Sequence, residues 1–477
     1  MSANQAKKIE VEVQDVKPIH PTDITLQYSI GSFASSYMTY APGDTEAMKK
    51  ALSPTSKNIL DDLKKSQELS FTTSQRWASI NIKGEGLDTE DFSFGGYVNC
   101  PTYVFSVNNV SATEHVIADC SSMNSIDLSI YKIEVSYLKD NAIVTSPKDD
   151  LADTIAKISE FFLKEADKET SEDKTVTESI NDIDSANQRN SSYFTQLFYN
   201  SHGEMGWDKL PKTLGQSAWF ECVGRIINIL QSNTGGFFNT LLQLADEFQC
   251  IYVPSDNGED PGKFVNKSKI FDNPEVITLN IISLQASLGY SGMNPVAAVA
   301  VVSPEFPRKY LRDVPATKTM VTYPEGDAVS SAGSILQVPG PPWLSASAYE
   351  EFDEIEAEEN AKKDNQSIGS RREDRSKAEG KLKEKIPTVV ELLKQWAKAE
   401  YYWQCLGQTS CVVNCEFTKL EVGKYYMVYS EEGELLFSGI LYSISHRISS
   451  DANSASADSI LNFSHVRISD AKIPGLK

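Results

Sequence analysis

The residues best suited to chemistry in this chain are few and poorly matched. Cys411 and Cys415 stand four apart, with Cys405 nearby. A structural zinc site needs such a pair to be answered by a second pair of Cys or His. The five histidines lie at 20, 115, 202, 446 and 465, and none sits at ligand spacing from these cysteines. The sulfurs therefore read as small fillers of a core, and no metal is expected. His446 and His465 fall on consecutive C-terminal strands, where they are expected to be hairpin partners in cross-strand contact rather than a catalytic pair.

Known catalytic signatures fail one by one. Gly289-Tyr290-Ser291-Gly292 is one residue short of a nucleophile elbow, and its neighbours read as a loop. His202-Gly203-Glu204 lacks the second histidine of a zincin helix. Thr234-Gly235-Gly236 is followed by no lysine, so it is no P-loop, and no G-x-G-x-x-G follows a strand. Carboxylate pairs for glycoside hydrolysis stay open, because 66 acidic residues offer too many pairs. Most acids fall in polar linkers, not in the apolar surroundings that raise a carboxyl pKa. No catalytic, cofactor-binding or metal-binding residue is assigned, no cofactor is expected, and the chain is read as a non-enzyme.

Bulk properties narrow the class. A chain of 477 residues suggests about three to four domains. Its net charge of −21 opposes nucleic-acid binding, which draws its affinity from Lys and Arg on phosphates. The acidity serves either solubility or a surface past which DNA slides without sticking. Seven scattered cysteines make no disulfide framework. The N-terminus has no signal-peptide core, and no apolar run approaches the ~18–20 residues of a membrane span, so folding in a cytosol is expected.

The elements that must position these residues change period along the chain. Residues 1–140 read mainly as β, with Ile24, Leu26, Tyr28 and Ile30 alternating, Ile126, Leu128 and Ile130 likewise, and a helix at about 44–65. Residues 141–264 turn helical. Leu151, Ile155, Ile158 and Phe162 fall at 3–4 spacing, Ser217 to Leu230 and Phe237 to Phe248 follow, and Cys250 to Pro254 is a buried strand. Residues 165–190 are polar and read as a loop or exposed helix. Residues 265–344 return to β, with Ile277, Leu279 and Ile281 on one apolar face. Residues 345–407 hold acidic and basic blocks over 345–385, read as a solvated linker, then an amphipathic helix carrying Leu392, Leu393, Trp396 and Tyr401. Residues 408–477 are β hairpins. Cys411, Val413, Cys415 and Phe417 share one face, and Leu461, Phe463 and His465 oppose Ile460, Asn462, Ser464 and Val466.

The order of features near the C-terminus resembles a known family. The helix Leu392 to Tyr402 leads through Leu406-Gly407 into a strand. Cys415-Glu416-Phe417-Thr418-Lys419-Leu420-Glu421-Val422-Gly423 is similar to the family's N-F-x-L-x-P-G entry into a hairpin, with Val422 where proline is usual. Phe437 to Ile448, including His446, matches the returning strand, and Leu461 to Arg467 the last one. Together these resemble the central baseplate hub protein of contractile-tailed bacteriophages, over less than a fifth of the chain.

That resemblance implies an α+β, mainly β fold: two tail-tube-like β-barrel domains with helical insertions and discontinuous domains. Residues 265–344 and 408–477 would share the second barrel around the insertion. It implies a homotrimer joining the six-fold tail tube protein to the three-fold central spike protein, contacting baseplate wedge or other hub proteins. Genomic DNA would pass through without specific binding. The implied location is the virion tail baseplate, assembled in the bacterial host cytoplasm. The alternatives are a tail-associated cell-wall hydrolase, with its catalytic segment in 140–265, or another structural component of a contractile injection machine.

Overall fold

The computed structural model describes residues 8–13, 16–19, 21–40, 77–83, 92–106, 109–121, 151–172, 193–207, 216–232, 235–288, 296–302, 320–324, 334–342, 392–404, 407, 409–451 and 454–468. The expected helix at 44–65, the strand at 126–130, the charged blocks at 345–385, Gly289 to Gly292, Thr234 and Cys405 lie outside them.

The chain is mostly β. Its N-terminal strands are β1 (Lys8–Val13), β2 (Val16–Ile19), β3 (Pro21–Ser29), β4 (Ser35–Tyr40), β5 (Trp77–Lys83), β6 (Phe92–Ser106) and β7 (Asn109–Ala118). The centre adds β8 (Cys250–Val253), β9 (Lys263–Asn266), β10 (Glu275–Thr278), β11 (Ile281–Leu288), β12 (Val296–Val302), β13 (Met320–Tyr323) and β14 (Ser334–Pro339). The C-terminal strands are β15 (Thr409–Glu416), β16 (Tyr425–Tyr429), β17 (Leu435–Asp451) and β18 (Ser454–Ile468).

Thirteen of these strands form one curled sheet, in the order β11-β15-β18-β17-β3-β4-β7-β6-β5-β1-β2, with β16 and β10 branching from β17. The sheet is continuous because β17 is long enough to pair along β18, β16 and β3. Its second half runs antiparallel to β3, with Ile444 opposite Tyr28, His446 opposite Leu26 and Ile448 opposite Ile24. The two strand blocks expected from the ends of the chain are therefore hydrogen-bonded to each other. Of the strands in 265–344, β10 joins β16 and β11 joins β15, whereas β12, β13 and β14 make a separate three-stranded sheet.

Alternation decides which faces are buried. In β3, Ile24, Leu26 and Tyr28 are buried while Asp23 and Gln27 are exposed. In β15, Cys411, Val413 and Cys415 are buried and Val412 is exposed, the pattern of a half-covered sheet. The expected alternation of β18 fails at one point. Ser438 pairs with Arg467 and Ile440 with Ser464, so His465 and Val466 together oppose the single residue Gly439. This bulge puts His465 at φ 55° and turns both His465 and Val466 inward, where strict alternation separates them.

A helical unit packs against the β hairpin β8–β9. It comprises the helices Leu151–Glu172, 193–200, Gln216–Leu230 and Phe237–Glu247. Leu151, Ile155 and Ile158 line one stripe of the first, and Trp219, Val223, Ile226 and Leu230 one stripe of the third. Each such side chain contributes roughly 1.5–3 kcal/mol through burial. Gly235 and Gly236, at φ 99° and 102°, turn the chain between the last two helices in a conformation that a β-carbon disfavours. Arg225 ties these two helices together with two 2.8 Å bonds to Glu247. Among the described residues no helix is long and apolar enough to cross a membrane.

Candidate functional site

The described groups worth examining converge where β3, β17 and the loop 254–262 meet. Asn257 organises that loop: its Oδ1 accepts from Ser255 Oγ and from the amides of Glu259 and Asp260, each at 3.0 Å. Asp260 Oδ1 accepts from the Gly262 amide and from Asn200 Nδ2, both at 2.8 Å. The loop then reaches the N-terminal strands. Gly95 N donates to Asn257 O and Asp119 N to Gly258 O, each at 2.9 Å, and Gly31 N donates to Tyr252 O, also at 2.9 Å. Gly258 sits at φ 71°, and a β-carbon there would lie 2.5 Å from Gly95 O and 2.6 Å from the Phe94 ring. Only glycine allows so close an approach. On the other side, Lys419 pairs with Asp256 at 3.3 Å.

Beneath this loop lies a cavity of about 350 Å³. Tyr28, Phe92 and His446 form its aromatic floor; Asp256, Asp260, Lys263, Lys419 and Glu421 stand around it, with Val253, Pro254, Leu420 and Val422 as apolar wall. His446 is buried among rings, with Phe417 at 4.7 Å, Phe92 at 5.5 Å and Tyr28 at 5.9 Å between centroids. Burial lowers its pKa to about 3, so the imidazole is neutral at pH 7. Its tautomer follows from Ser459. That buried hydroxyl oxygen accepts from the Thr418 amide at 3.1 Å and must place its own proton, for which His446 Nδ1, at 2.9 Å, is the acceptor. That arrangement places the ring proton on Nε2, for which no hydrogen bond is found among the described residues. The Tyr28 hydroxyl, on a residue only 4% exposed, likewise has no hydrogen-bond partner among the described residues. Burial, and secondarily the charge of Asp256, raises the Tyr28 pKa well above that of a free phenol. Both groups keep their protons at pH 7. Both are sealed in the protein, and neither is poised near neutrality for proton transfer.

The other residues singled out from the sequence are dispersed. His446 and His465 do not face each other: His446 pairs with Ser459, and the bulge carries His465 to the helix 392–404. There His465 Nε2 lies 3.1 Å from Trp403 O and Nδ1 lies 2.8 Å from Ser464 Oγ, with the Trp403 ring 4.3 Å away. Its pKa falls to about 4, mainly by burial. Cys411 and Cys415 share a face of β15, where four residues of strand separate them by ~13 Å, too far for one ion. Burial pushes their thiols up to about 11 and about 12. His202 stands in the turn after helix 193–200 and meets Asp153 at 3.1 Å, an exposed pair of little energetic weight. Asp119 escaped the sequence reading; burial and then the charge of Glu259 raise its carboxyl to about 7, but it is 3% exposed and does not line the cavity. Among the described residues no group of His, Cys, Asp and Glu is arranged to hold a metal. The loop was missed as well, although Asn257-Gly258 and Pro261-Gly262 are turn signals visible in the sequence.

No protein-family model and no curated protein matches the sequence. Solved structures similar to the chain include a tail protein from Neisseria meningitidis MC58, at 8% identity and TM-score 0.41, over 96% of this chain and 95% of that one. Another is the 43 kDa tail protein of prophage MuSo2 from Shewanella oneidensis, at 9% identity and TM-score 0.41, over 96% of this chain and 97% of that one. A third is an Escherichia coli component of the type VI secretion system with structural similarity to T4 bacteriophage tail proteins. It matches at 6% identity and TM-score 0.35, over 98% of this chain and 79% of that one. Likenesses at these scores carry no argument about function.

Proposed function

We propose that the chain is a non-enzymatic structural protein, the central hub of a phage tail baseplate. In this reading it is a homotrimeric adaptor between the six-fold tail tube and the three-fold spike, and it forms part of the DNA channel. The observation that carries the reading is the ordered C-terminal set: helix 392–404, β15, the turn before β16, the long β17 and β18. These pieces, matched to the hub family in the sequence, pack as one unit, with Trp403 of the helix on His465 of β18. The turn is held by Gly423 at φ 83°, whose amide donates to Leu441 O at 2.8 Å, so the hairpin closes without the proline usual at position 422. A net charge of −21 suits a channel lining that DNA must pass without adhering.

Two tube-like barrels per subunit, a pseudo-six-fold ring, and contacts to tube, spike and wedge proteins belong to the same proposal. The test is co-purification. The chain should form a stable complex with a phage tail spike protein and give three-fold particles in negative stain. A chain that binds neither spike nor tube protein defeats the proposal. The wall-cleaving alternative is favoured by no observation on the described residues of 140–265.

A further inference from the structure

The large sheet has three free edges among the described residues, and they differ in how they are closed to further strands. An open edge presents unpaired N–H and C=O groups on which another strand can add, and proteins ordinarily block it with charge, proline or shortness. β2, at one end of the strand order, carries Lys17 and Pro18 within its four residues. β10 is also four residues long and begins at Glu275, tied to Lys424 at 2.7 Å. β11, at the other end, has neither protection. It is eight residues long with no charge and no proline, and past the bulge at Ile282 it keeps regular register with β15 from Ser283 to Leu288.

The strand also leaves apolar surface uncovered. Leu284 stands opposite Val413 and Ala286 opposite Cys411, and both partners on β15 are buried. On β11 that same face is open: Leu284 is 44% and the neighbouring Ile282 61% exposed, with Ala286 exposed as well. Ser283 and Gln285 alternate with Leu284 and Ala286 toward the other face. We propose that β11 is a docking edge for an extended, uncharged arm of another protein. The arm adds as a strand and sets an apolar side chain at every second position beside Leu284 and Ala286. A charged arm would find no counter-charge on this strand. Six residues of strand extend about 20 Å. The strip therefore offers on the order of 300 Å², well below the roughly 800 Å² per partner of a stable interface between globular proteins. A second copy docked here alone would be held weakly, whereas an arm gains main-chain hydrogen bonds along its whole length. The inference is independent of the hub reading.

The probe is a fluorescein-labelled octapeptide of alternating valine and threonine with blocked ends, titrated into the full chain by fluorescence anisotropy. Its comparator is the same peptide N-methylated at every residue, which keeps the side chains and removes the donors. Saturable binding at roughly 0.1–1 mM is expected for the first, and binding weaker by at least about tenfold for the second. Leu284→Lys places a charge at an exposed position, so the fold is retained. It should weaken the octapeptide by about tenfold and leave the mass of the chain in light scattering unchanged. Val276→Lys, at an exposed position of β10, should leave peptide binding unchanged. The proposal is overturned if the octapeptide does not saturate, if the methylated form binds as tightly, or if Leu284→Lys leaves the affinity unchanged. It is overturned equally if Val276→Lys weakens binding as much, or if Leu284→Lys lowers the mass, which would assign the edge to a second copy.

Discussion

Two histidines on paired strands, His446 of β17 and His465 of β18, are both buried and both depressed in pKa, yet their surroundings differ. His465 ends in a wall. Both its ring nitrogens have partners, Trp403 lies against it, and Lys267 sits 5.4 Å above the Trp403 ring while bonded to Asp246 at 2.9 Å. His446 stands beside a hollow, with one nitrogen bonded to Ser459 and no bond to the other found among the described residues. The difference arises from what meets each strand. Helix 392–404 lays a flat indole on β18, whereas β17 is covered by a loop whose shape is fixed by its own hydrogen bonds. A rigid arch leaves space that a helix with a large side chain does not. In the first neighbourhood both ring nitrogens are bonded; in the second, one His446 nitrogen and the Tyr28 hydroxyl lack partners among the described residues.

The largest expected effect comes from collapsing that arch. Gly258→Ala pushes a methyl into Gly95 O and the Phe94 ring at a positive φ, and should cost about 3 kcal/mol or more in urea unfolding. A loss below about 1 kcal/mol means the loop does not clamp the two strand blocks as described. Next, His465→Ala should cost about 3 kcal/mol and His446→Ala about 2 kcal/mol, since both lose tilted ring contacts but the former loses an additional hydrogen bond. The reverse order erases the distinction between wall and hollow.

Acid should act on both sites in the same direction. Their folded pKa values of about 3 and about 4 lie below the ~6.5 of an unfolded histidine, so the unfolded chain binds more protons in between. Stability is therefore lost as pH falls from about 6.5 towards 4, and for His446 on towards 3. Asp119, raised to about 7 from the ordinary 3.8, works oppositely across the same window, because its folded form holds the proton. Replacing His446 by Gln should flatten the pH dependence between about 4 and 6 by about one proton, close to 1.4 kcal/mol per pH unit. Urea midpoints across that range read it directly, and an unchanged slope contradicts a buried neutral His446.

The smallest effect is the sharpest contrast. Tyr252→Phe loses a 2.8 Å bond to Pro261 O and should cost about 1 kcal/mol. Tyr28→Phe loses no hydrogen bond among the described residues and should be neutral or slightly stabilising. Equal losses in the two variants mean that Tyr28 has a partner in the folded protein.

Local order was readable in advance; long-range assembly was not. Helices at Gln216–Leu230 and Phe237–Glu247 and the strand Cys250–Val253 follow from apolar spacing and the Gly235-Gly236 turn, all short-range signals. The pairing of β3 with β17 joins residues some four hundred positions apart, and both strands show only ordinary alternation, which does not name a partner. The bulge at His465 has no glycine or proline to announce it, so periodicity placed Val466 on the wrong face. Tyr28 read as one more core residue between Leu26 and Ile30. Its unpaired hydroxyl is a property of what stands opposite, which includes a loop more than two hundred residues away.

The central claim is that this chain is a trimeric scaffold. Its most direct test is the absolute mass of the purified full-length protein by light scattering coupled to size exclusion, with and without the spike protein. The account predicts three times the chain mass alone, or three chain masses plus that of the spike once the spike is added. A single-chain mass under both conditions, at concentrations well above micromolar, contradicts it.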